Sequence, residues 1–297
     1  MRKTAFIAIV GKANVGKSSI LNNLLGQKVA IVSSKPQTTR TRITGILTDG
    51  ENQYVFTDTP GLHKPKTLLG EYMMKGVGLA VDSVDSIVYL VDGSKPVLDE
   101  ANKKIMEQIV ATKKKVILAI NKIDMLSKKE ELMERILELS KLCDFTAVVP
   151  VSAQNGDGLD SLKDELNKLA IESEFFFPED TLTDQPERVL ASEMIREKLL
   201  YRLNEEIPHG IAVSIEKMRE RDDSDILDIE AIIYCERDSH KGIIIGKGGS
   251  MLKAVSTSAR KDLEEFFDCR VNLQCWVKVK EGWRNREGLI HNFGLDQ

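Results

Sequence analysis

The chain has 297 residues, of which 42% are hydrophobic and 30% charged, with a formal net charge of −4. These are the proportions of an ordinary globular protein, long enough for two domains or one large one. The slight acidity excludes a protein that coats nucleic acid over its whole surface, while leaving room for a local basic patch.

Met1, Arg2 and Lys3 followed by the apolar run 5–10 imitate a signal peptide. The run is short and passes directly into a glycine loop, so it reads as a buried first strand. Further strands are expected at 43–48, 54–57, 87–91, 116–120 and 147–151, with a hairpin turn at 49–52. Helices are expected at 17–25, 98–112, 128–142 and 159–172. Ile105, Ile109 and Val110 in one, and Leu132, Ile136, Leu137 and Leu139 in another, follow helical spacing. This alternation predicts an α/β fold with a mostly parallel sheet covered by helices on both faces. Pro178 is expected to stop the last helix, and Phe175, Phe176 and Phe177 form either a docking hinge or the closing edge of the first core. The domains are then 1–174, a linker at 175–181, and a smaller α+β domain at 182–297.

The second domain opens with a helix at 185–205, whose Val189, Leu190, Met194, Ile195, Leu199 and Leu203 form one face. Strands at 211–215 and 226–234 follow, then a helix at 249–255, another at 258–267 and a last strand at 270–279. No apolar run approaches the roughly 18 residues that span a bilayer. Cys143, Cys235, Cys269 and Cys275 form no C-x-x-C pair and read as reduced, mostly buried thiols of a cytosolic protein. His63, His209, His240 and His291 stand alone, so no histidine constellation competes for catalysis.

Gly11, Lys12, Ala13, Asn14, Val15, Gly16, Lys17 and Ser18 form G-x-x-x-x-G-K-S between a strand and a helix, the pattern of a phosphate-binding loop. Its N–H groups and the helix N-terminus suit phosphates, Lys17 adds a point charge, and Ser18 suits a Mg²⁺ ligand position. Asp58, Thr59, Pro60 and Gly61 end the third strand, where a carboxylate can hold Mg²⁺ and Gly61 can offer its N–H to a γ-phosphate. Asn121, Lys122, Ile123 and Asp124 end another strand, and Ser152 and Ala153 the last. All lie at carboxyl ends of strands, where open α/β sheets bind ligands. The Asp124 carboxylate can accept from the N1–H and amine of guanine, a donor pair that adenine lacks, and the Ala153 N–H can serve the guanine oxygen. GTP, with GDP as product, is therefore the expected nucleotide. Thr39, in preference to Thr38, is expected to complete the metal set with Ser18 and Asp58, from a loop that orders around the γ-phosphate.

These residues resemble the Ras-like GTPases of the translation-factor class. With Asn14, with 37–40 and with the run from Asp58 to His63, they are most similar to the bacterial ribosome-associated Era family. Leu62 stands where Ras-type enzymes carry a water-orienting glutamine, a departure shared with relatives of Era. Hydrolysis is expected to be slow, about 10⁻⁴ to 10⁻² s⁻¹. The resemblance suggests K⁺ near Asn14 as the missing transition-state charge, with Arg40 and Arg42 as other donors. The expected catalytic residues are Asn14, Lys17, Thr39 and Gly61, with Leu62 among those touching nucleotide.

A second loop, Gly246-Lys247-Gly248-Gly249, follows the apolar residues Ile243, Ile244 and Ile245, read as a strand end. Glycines at both ends allow close approach to a sugar–phosphate backbone. Between 239 and 261 the charges are all basic (Lys241, Lys247, Lys253, Arg260 and Lys261), whereas 216–230 is dominated by acids. The expected RNA-contacting residues are Lys241, Ile245, Gly246, Lys247, Gly248, Gly249 and Lys253, on about four nucleotides of single strand. Trp276 is expected to pack the last strand rather than stack a base. The order α-β-β-α-α-β resembles a type II KH domain. In the Era family this implies binding to the single-stranded 3′ region of small-subunit ribosomal RNA and to the small subunit during its assembly. It implies a cytoplasmic protein, and permits peripheral contact with the inner membrane face. The competing classes are a regulator whose KH-like domain is a protein-binding scaffold, and an RNA-processing enzyme, for which nothing after 180 offers a nucleophile–base pair.

Overall fold

The computed structural model describes residues 1–296, apart from the side chain of Lys129. The chain forms two compact units. The first holds Met1–Ala30, Thr39–Lys64 and Met73–Asp184, and the second holds Ile31–Thr38, Pro65–Tyr72 and Gln185–Gln297.

The N-terminal half runs β1 (Lys3–Gly11), α1 (Lys17–Leu25), β2 (Ile43–Asp49), β3 (Asn52–Asp58), α2 (Leu68–Asp82), β4 (Ser86–Asp92), α3 (Glu100–Ala111), β5 (Lys115–Asn121), α4 (Lys129–Ser140), β6 (Ala147–Pro150), α5 (Leu159–Asn167) and β7 (Ile171–Glu172). The main sheet order is β2-β3-β1-β4-β5-β6. Only β2 in this path is antiparallel, joined to β3 by the expected hairpin. β4 and β5 are buried almost throughout, which is why they read as unbroken apolar runs.

Three expectations for this half need correction. The 15-residue α2 was not foreseen, although Leu69, Met73, Val77 and Ala80 are buried at helical spacing. Gly70, Gly76 and Gly78 weaken its helical propensity, and tertiary burial overrides them. α5 stops at Asn167, well before Pro178, and the chain returns as β7 against Lys3 and Thr4. That side of β1 is open because β4 pairs it only from Ile7 onward, and its backbone groups need partners. Val110 and Leu137 are exposed and lie off the apolar faces of α3 and α4. The aromatic triplet closes the edge of the first core: Phe176 meets Phe6 edge-on at 4.9 Å, and the Arg2 guanidinium lies 4.5 Å from the Phe175 ring centroid. Gln53, buried in β3, accepts from the N–H of Phe176 (2.9 Å) and Phe177 (3.1 Å).

The C-terminal half runs α6 (Glu187–Arg202), β8 (Ala212–Arg221), β9 (Ser224–Cys235), α7 (Asp238–Ile245), α8 (Ser250–Phe267), β10 (Arg270–Val279) and α9 (Glu287–Asn292). The three strands order as β10-β9-β8, with β9 and β10 parallel. Leu199, Ile229, Ile233, Val255, Ala259 and Leu263 belong to one apolar cluster between helices and sheet.

The two helices expected at 249–255 and 258–267 are the single helix α8. Ser256 does not break it because its hydroxyl donates back to Leu252 O at 2.9 Å. Ile243–Ile245 is the last turn of α7 rather than a strand end, closed by Gly246 N–H to Gly242 O at 2.9 Å. β-branched residues favour strands in isolation, but fully buried Ile244 anchors this turn to the core. Trp276 does not pack inward and is 44% exposed. Trp283 is the buried one: its indole N–H donates to Gly210 O at 2.9 Å, and its ring meets Phe293 at 5.3 Å. Trp283→Ala should therefore destabilise the second unit by about 3–5 kcal/mol. Trp276→Ala should stay within about 1 kcal/mol of the parent, both read from urea unfolding followed by far-UV circular dichroism.

Candidate nucleotide site and nucleic-acid interface

The first loop leaves β1 and enters α1 at the topological switch of the sheet, where β3 lies on one side of β1 and β4 on the other. Gly16 caps α1 with φ +100°, and a Cβ there would sit 2.2 Å from Asn121 Nδ2, so no other residue fits. Lys17 is buried, with its ammonium donating to Lys12 O (2.9 Å) and Gly11 O (3.3 Å). Burial pushes its pKa down to about 8, partly offset by the Asp58 charge. Lys12 itself forms an ion pair with Asp99.

The side chains of Ser18, Thr39 and Asp58 converge. Ser18 Oγ donates to Asp58 Oδ2 at 2.5 Å, and Thr39 Oγ1 lies 3.0 Å from Ser18 Oγ and 3.4 Å from Asp58 Oδ2. Asp58 is fully buried, and its Oδ1 has no hydrogen-bond partner among the described residues. Burial raises its pKa against the opposing pull of Lys17, Ser18 and Thr39. Two hydroxyl oxygens beside a buried carboxylate whose second oxygen has no partner among the described residues fit a hard cation such as Mg²⁺. Thr38 is turned elsewhere, bonding Ser33 Oγ (2.7 Å) and Lys35 O (2.6 Å).

The remainder of the third motif divides between site and scaffold. The Thr59 hydroxyl is buried and donates to Ile9 O at 2.8 Å, so it braces β1. Gly61 packs directly on the backbone of Ala13, and the Leu62 N–H donates to Gly11 O at 3.2 Å, which seats residues 60–62 against the first loop. The Leu62 side chain packs against the apolar cluster of Val10, Tyr89 and Ile105 and borders an apolar cavity of about 820 Å³. His63 Nδ1 lies 2.8 Å from Gly61 O.

At the base end, buried Asn121 donates from Nδ2 to Val15 O (2.8 Å) and accepts at Oδ1 from Ala153 N–H (2.9 Å). The Ala153 N–H, the group expected to serve the guanine oxygen, is the donor in this bond to Asn121. Ser152 Oγ donates to the Asp124 carboxylate, and Ile123 N–H to Val151 O at 3.3 Å. Lys122, at φ 66°, reaches Asn14 O (2.9 Å) and Asp92 Oδ2 (2.6 Å). Burial alone would raise the pKa of Asp92, but hydrogen bonds from Lys122 and Ser94 hold it below the usual range. Sequence reading missed Asp92; its position at the carboxyl end of β4 was the available signal.

The second glycine loop closes α7 and opens α8. Gly246 has φ +74°, and a Cβ there would lie 2.7 Å from Met251 Cβ. Lys247 to Gly249 form one tight turn, with the N-terminus of the 18-residue α8 immediately behind it. Lys247 and Lys253 are exposed, Lys241 is half-buried, and Ile245 packs against the core beneath.

Asp124→Asn should weaken GTP binding by about 10³-fold or more, because the new amide presents a donor to the guanine donors. Xanthosine triphosphate, with a carbonyl at that ring position, should recover much of the loss, as titration calorimetry with both nucleotides would show.

Residues 6–122 match the family model described as a 50S ribosome-binding GTPase, and residues 206–284 match that of the KH domain. GTPase Era of Clostridioides difficile strain 630 is 51% identical over 296 residues, covering 100% of this chain and 99% of the relative. GTPase Era of Ruminiclostridium cellulolyticum is 46% identical over 293 residues, covering 98% and 97%. The structure of an Era in complex with MgGDPNP and nucleotides 1506–1542 of 16S ribosomal RNA superposes with a TM-score of 0.97, at 39% identity over 100% of both chains. An Aquifex aeolicus Era variant bound to GDP and AlF₄⁻ gives 0.96 at 39% identity, over 99% and 100%. The chain, with both glycine loops in their matched domains, belongs to the Era family of GTPases.

Proposed function

We propose that this chain is a nucleotide-timed switch whose output is binding of single-stranded RNA at the 3′ end of the small-subunit ribosomal RNA, during assembly of that subunit. The observation that carries this reading is the second glycine loop, which presents positive-φ glycines and exposed lysines at the N-terminus of α8. The Era relative in complex with MgGDPNP and a 16S ribosomal RNA segment supports it. In that role the chain works in the cytoplasm. Among the described residues, no helix is long and apolar enough to cross a membrane. Peripheral contact with the inner membrane face is a finer proposal, and flotation with anionic vesicles checks it.

Hydrolysis follows from the first site. The N–H groups of 11–18 wrap the β- and γ-phosphates, and the Lys17 ammonium exchanges its carbonyl partners for phosphate oxygens. Ser18, Thr39 and Asp58 would hold Mg²⁺, which when bound neutralises charge on the phosphate oxygens. The Gly61 N–H faces the γ-phosphate. A water oxygen bonds to the γ-phosphorus as the bond to the bridging oxygen breaks, leaving GDP and phosphate. Leu62 is apolar and held in the core cluster, so no side chain at that position orients the water. Rate enhancement then rests on positioning and charge, and the rate stays low.

K⁺ beside Asn14 is proposed to supply the transition-state charge that an arginine supplies elsewhere. Asn14 sits at φ 63°, held from behind by Lys122, so its side chain is presented by a fixed backbone. Turnover in K⁺ should exceed that in Na⁺ by about tenfold or more, and Asn14→Ala should abolish the difference. Equal rates in both buffers would overturn the cation role.

RNA affinity, measured by fluorescence anisotropy on a 3′ small-subunit oligonucleotide, should differ between GDP and a non-hydrolysable GTP analogue. Gly246→Asp should remove most of that affinity and leave GTP turnover intact. Unchanged affinity would favour a protein-binding scaffold instead.

A further inference from the structure

The second unit contains a piece of the chain that leads directly into the metal-binding threonine. Residues Ile31–Thr38 belong to that unit, and the next residue, Thr39, belongs to the first. Thr39 is the residue whose hydroxyl meets Ser18 and Asp58. Whatever holds Thr38 therefore holds Thr39 to within one peptide bond.

Two adjacent charged residues of α6 do the holding. Arg196 is 2% exposed and Glu197 1% exposed. Glu197 Oε1 accepts from Val32 N–H at 2.9 Å, near the start of the segment. Arg196 Nη2 donates to Thr38 O, at its end. Glu193 orients the guanidinium through Nε at 2.7 Å and Nη2 at 2.5 Å, while Lys198 bonds Glu197 Oε2 at 3.1 Å. Between its two tethers the segment is braced internally. Lys35 N–H bonds Ser33 Oγ at 3.1 Å, and Lys35 Nζ reaches Asn204 Oδ1 at 2.8 Å. Gln37 adopts φ 58°, a conformation that non-glycine residues enter only when held there.

Buried charges are costly to keep, and packing alone does not require them. Each costs several kcal/mol of desolvation, and apolar residues of similar volume often serve stability better. Arg196 also leaves its Nη1 buried with no partner among the described residues. What these two side chains supply is a directed bond to the backbone at each end of one loop. That is a positioning device, since a backbone carbonyl and a backbone N–H fix the course of the chain whatever the loop side chains are.

We propose that Arg196 and Glu197 are positioning residues for Thr39, and that through the Ile31–Thr38 segment they make the second unit sensitive to whether a γ-phosphate is bound. The RNA half of this statement rests on the reading of the second unit as an RNA binder; the positioning half does not. Linkage makes the coupling reciprocal: if the triphosphate state alters how the segment is held, RNA bound to the second unit alters the preference for triphosphate over diphosphate by the same factor.

The test measures affinities of the full chain for GDP and for a non-hydrolysable GTP analogue, at fixed Mg²⁺ and without RNA. GDP reports the phosphate loop and base pocket, whereas only the analogue also reports Thr39. Arg196→Leu and Glu197→Leu should lower the analogue-to-GDP affinity ratio by about 5- to 100-fold with GDP affinity little changed. Glu197→Gln, which keeps an acceptor for Val32, should retain most of the ratio. Because α6 is in the core of its unit, Val32→Pro provides an independent variant: it removes the N–H donor and leaves α6 untouched. An unchanged ratio in Val32→Pro and Arg196→Leu overturns the proposal, and so does an equal loss for both nucleotides in both variants. A lowered ratio in variants of a protein whose RNA affinity ignores the nucleotide would sustain the positioning role and sink the RNA reading instead.

Discussion

The side-chain amide of Asn121 is the interaction on which the nucleotide site depends. It is buried, donates to Val15 O in the first loop and accepts from Ala153 N–H beyond β6. One planar group thus ties together the carboxyl ends of β1, β5 and β6. Its position leaves no room for a Cβ at Gly16, so the glycine of the phosphate loop is dictated partly by a residue 105 positions later. Lys122, the next residue, extends the brace to Asn14 O and Asp92. Losing a buried amide of this kind strands two backbone partners, at about 1–3 kcal/mol each. The loops are therefore held in relation to one another by protein groups alone, which lowers the entropic cost of binding nucleotide.

At the phosphate end the controlling term is desolvation. Lys17 and Asp58 are both buried, and burial biases each toward its neutral form, while their mutual attraction opposes that bias. Such a pair is poorly satisfied by itself. A polyanion satisfies the lysine and a divalent cation satisfies the carboxylate, so the two ligands are favoured together. Leu62 follows the opposite logic, being drawn into the apolar cluster beside Ile105 and away from any water it might orient. The site thus combines charge complementarity at the phosphate end with an apolar side chain at position 62.

In the second unit, buried charge serves chain placement rather than ligand binding. Arg196 and Glu197 each bond the backbone of a loop distant in sequence, and in the glycine loop between α7 and α8 the positions beside Gly248 and Gly249 are open. The first arrangement determines where a loop runs. The second leaves a helix N-terminus open to phosphate.

The grouping of motifs around the first loop was legible in sequence because a glycine loop and the polar runs at strand ends are local patterns. Most strands, though not the exposed β7, were legible for a related reason, since burial on one or both faces leaves a direct periodic trace. Tertiary structure decided what periodicity cannot carry. It made a helix of a glycine-weakened stretch at Leu68–Asp82, a helical turn of three isoleucines, and one helix of two at Ser250–Phe267. It also gave Ala153 N–H to Asn121 and made Asp92 and Arg196 partners of distant backbone and side chains. These are long-range hydrogen bonds of buried polar groups, and a residue's own neighbours in sequence do not encode which distant partner will satisfy it.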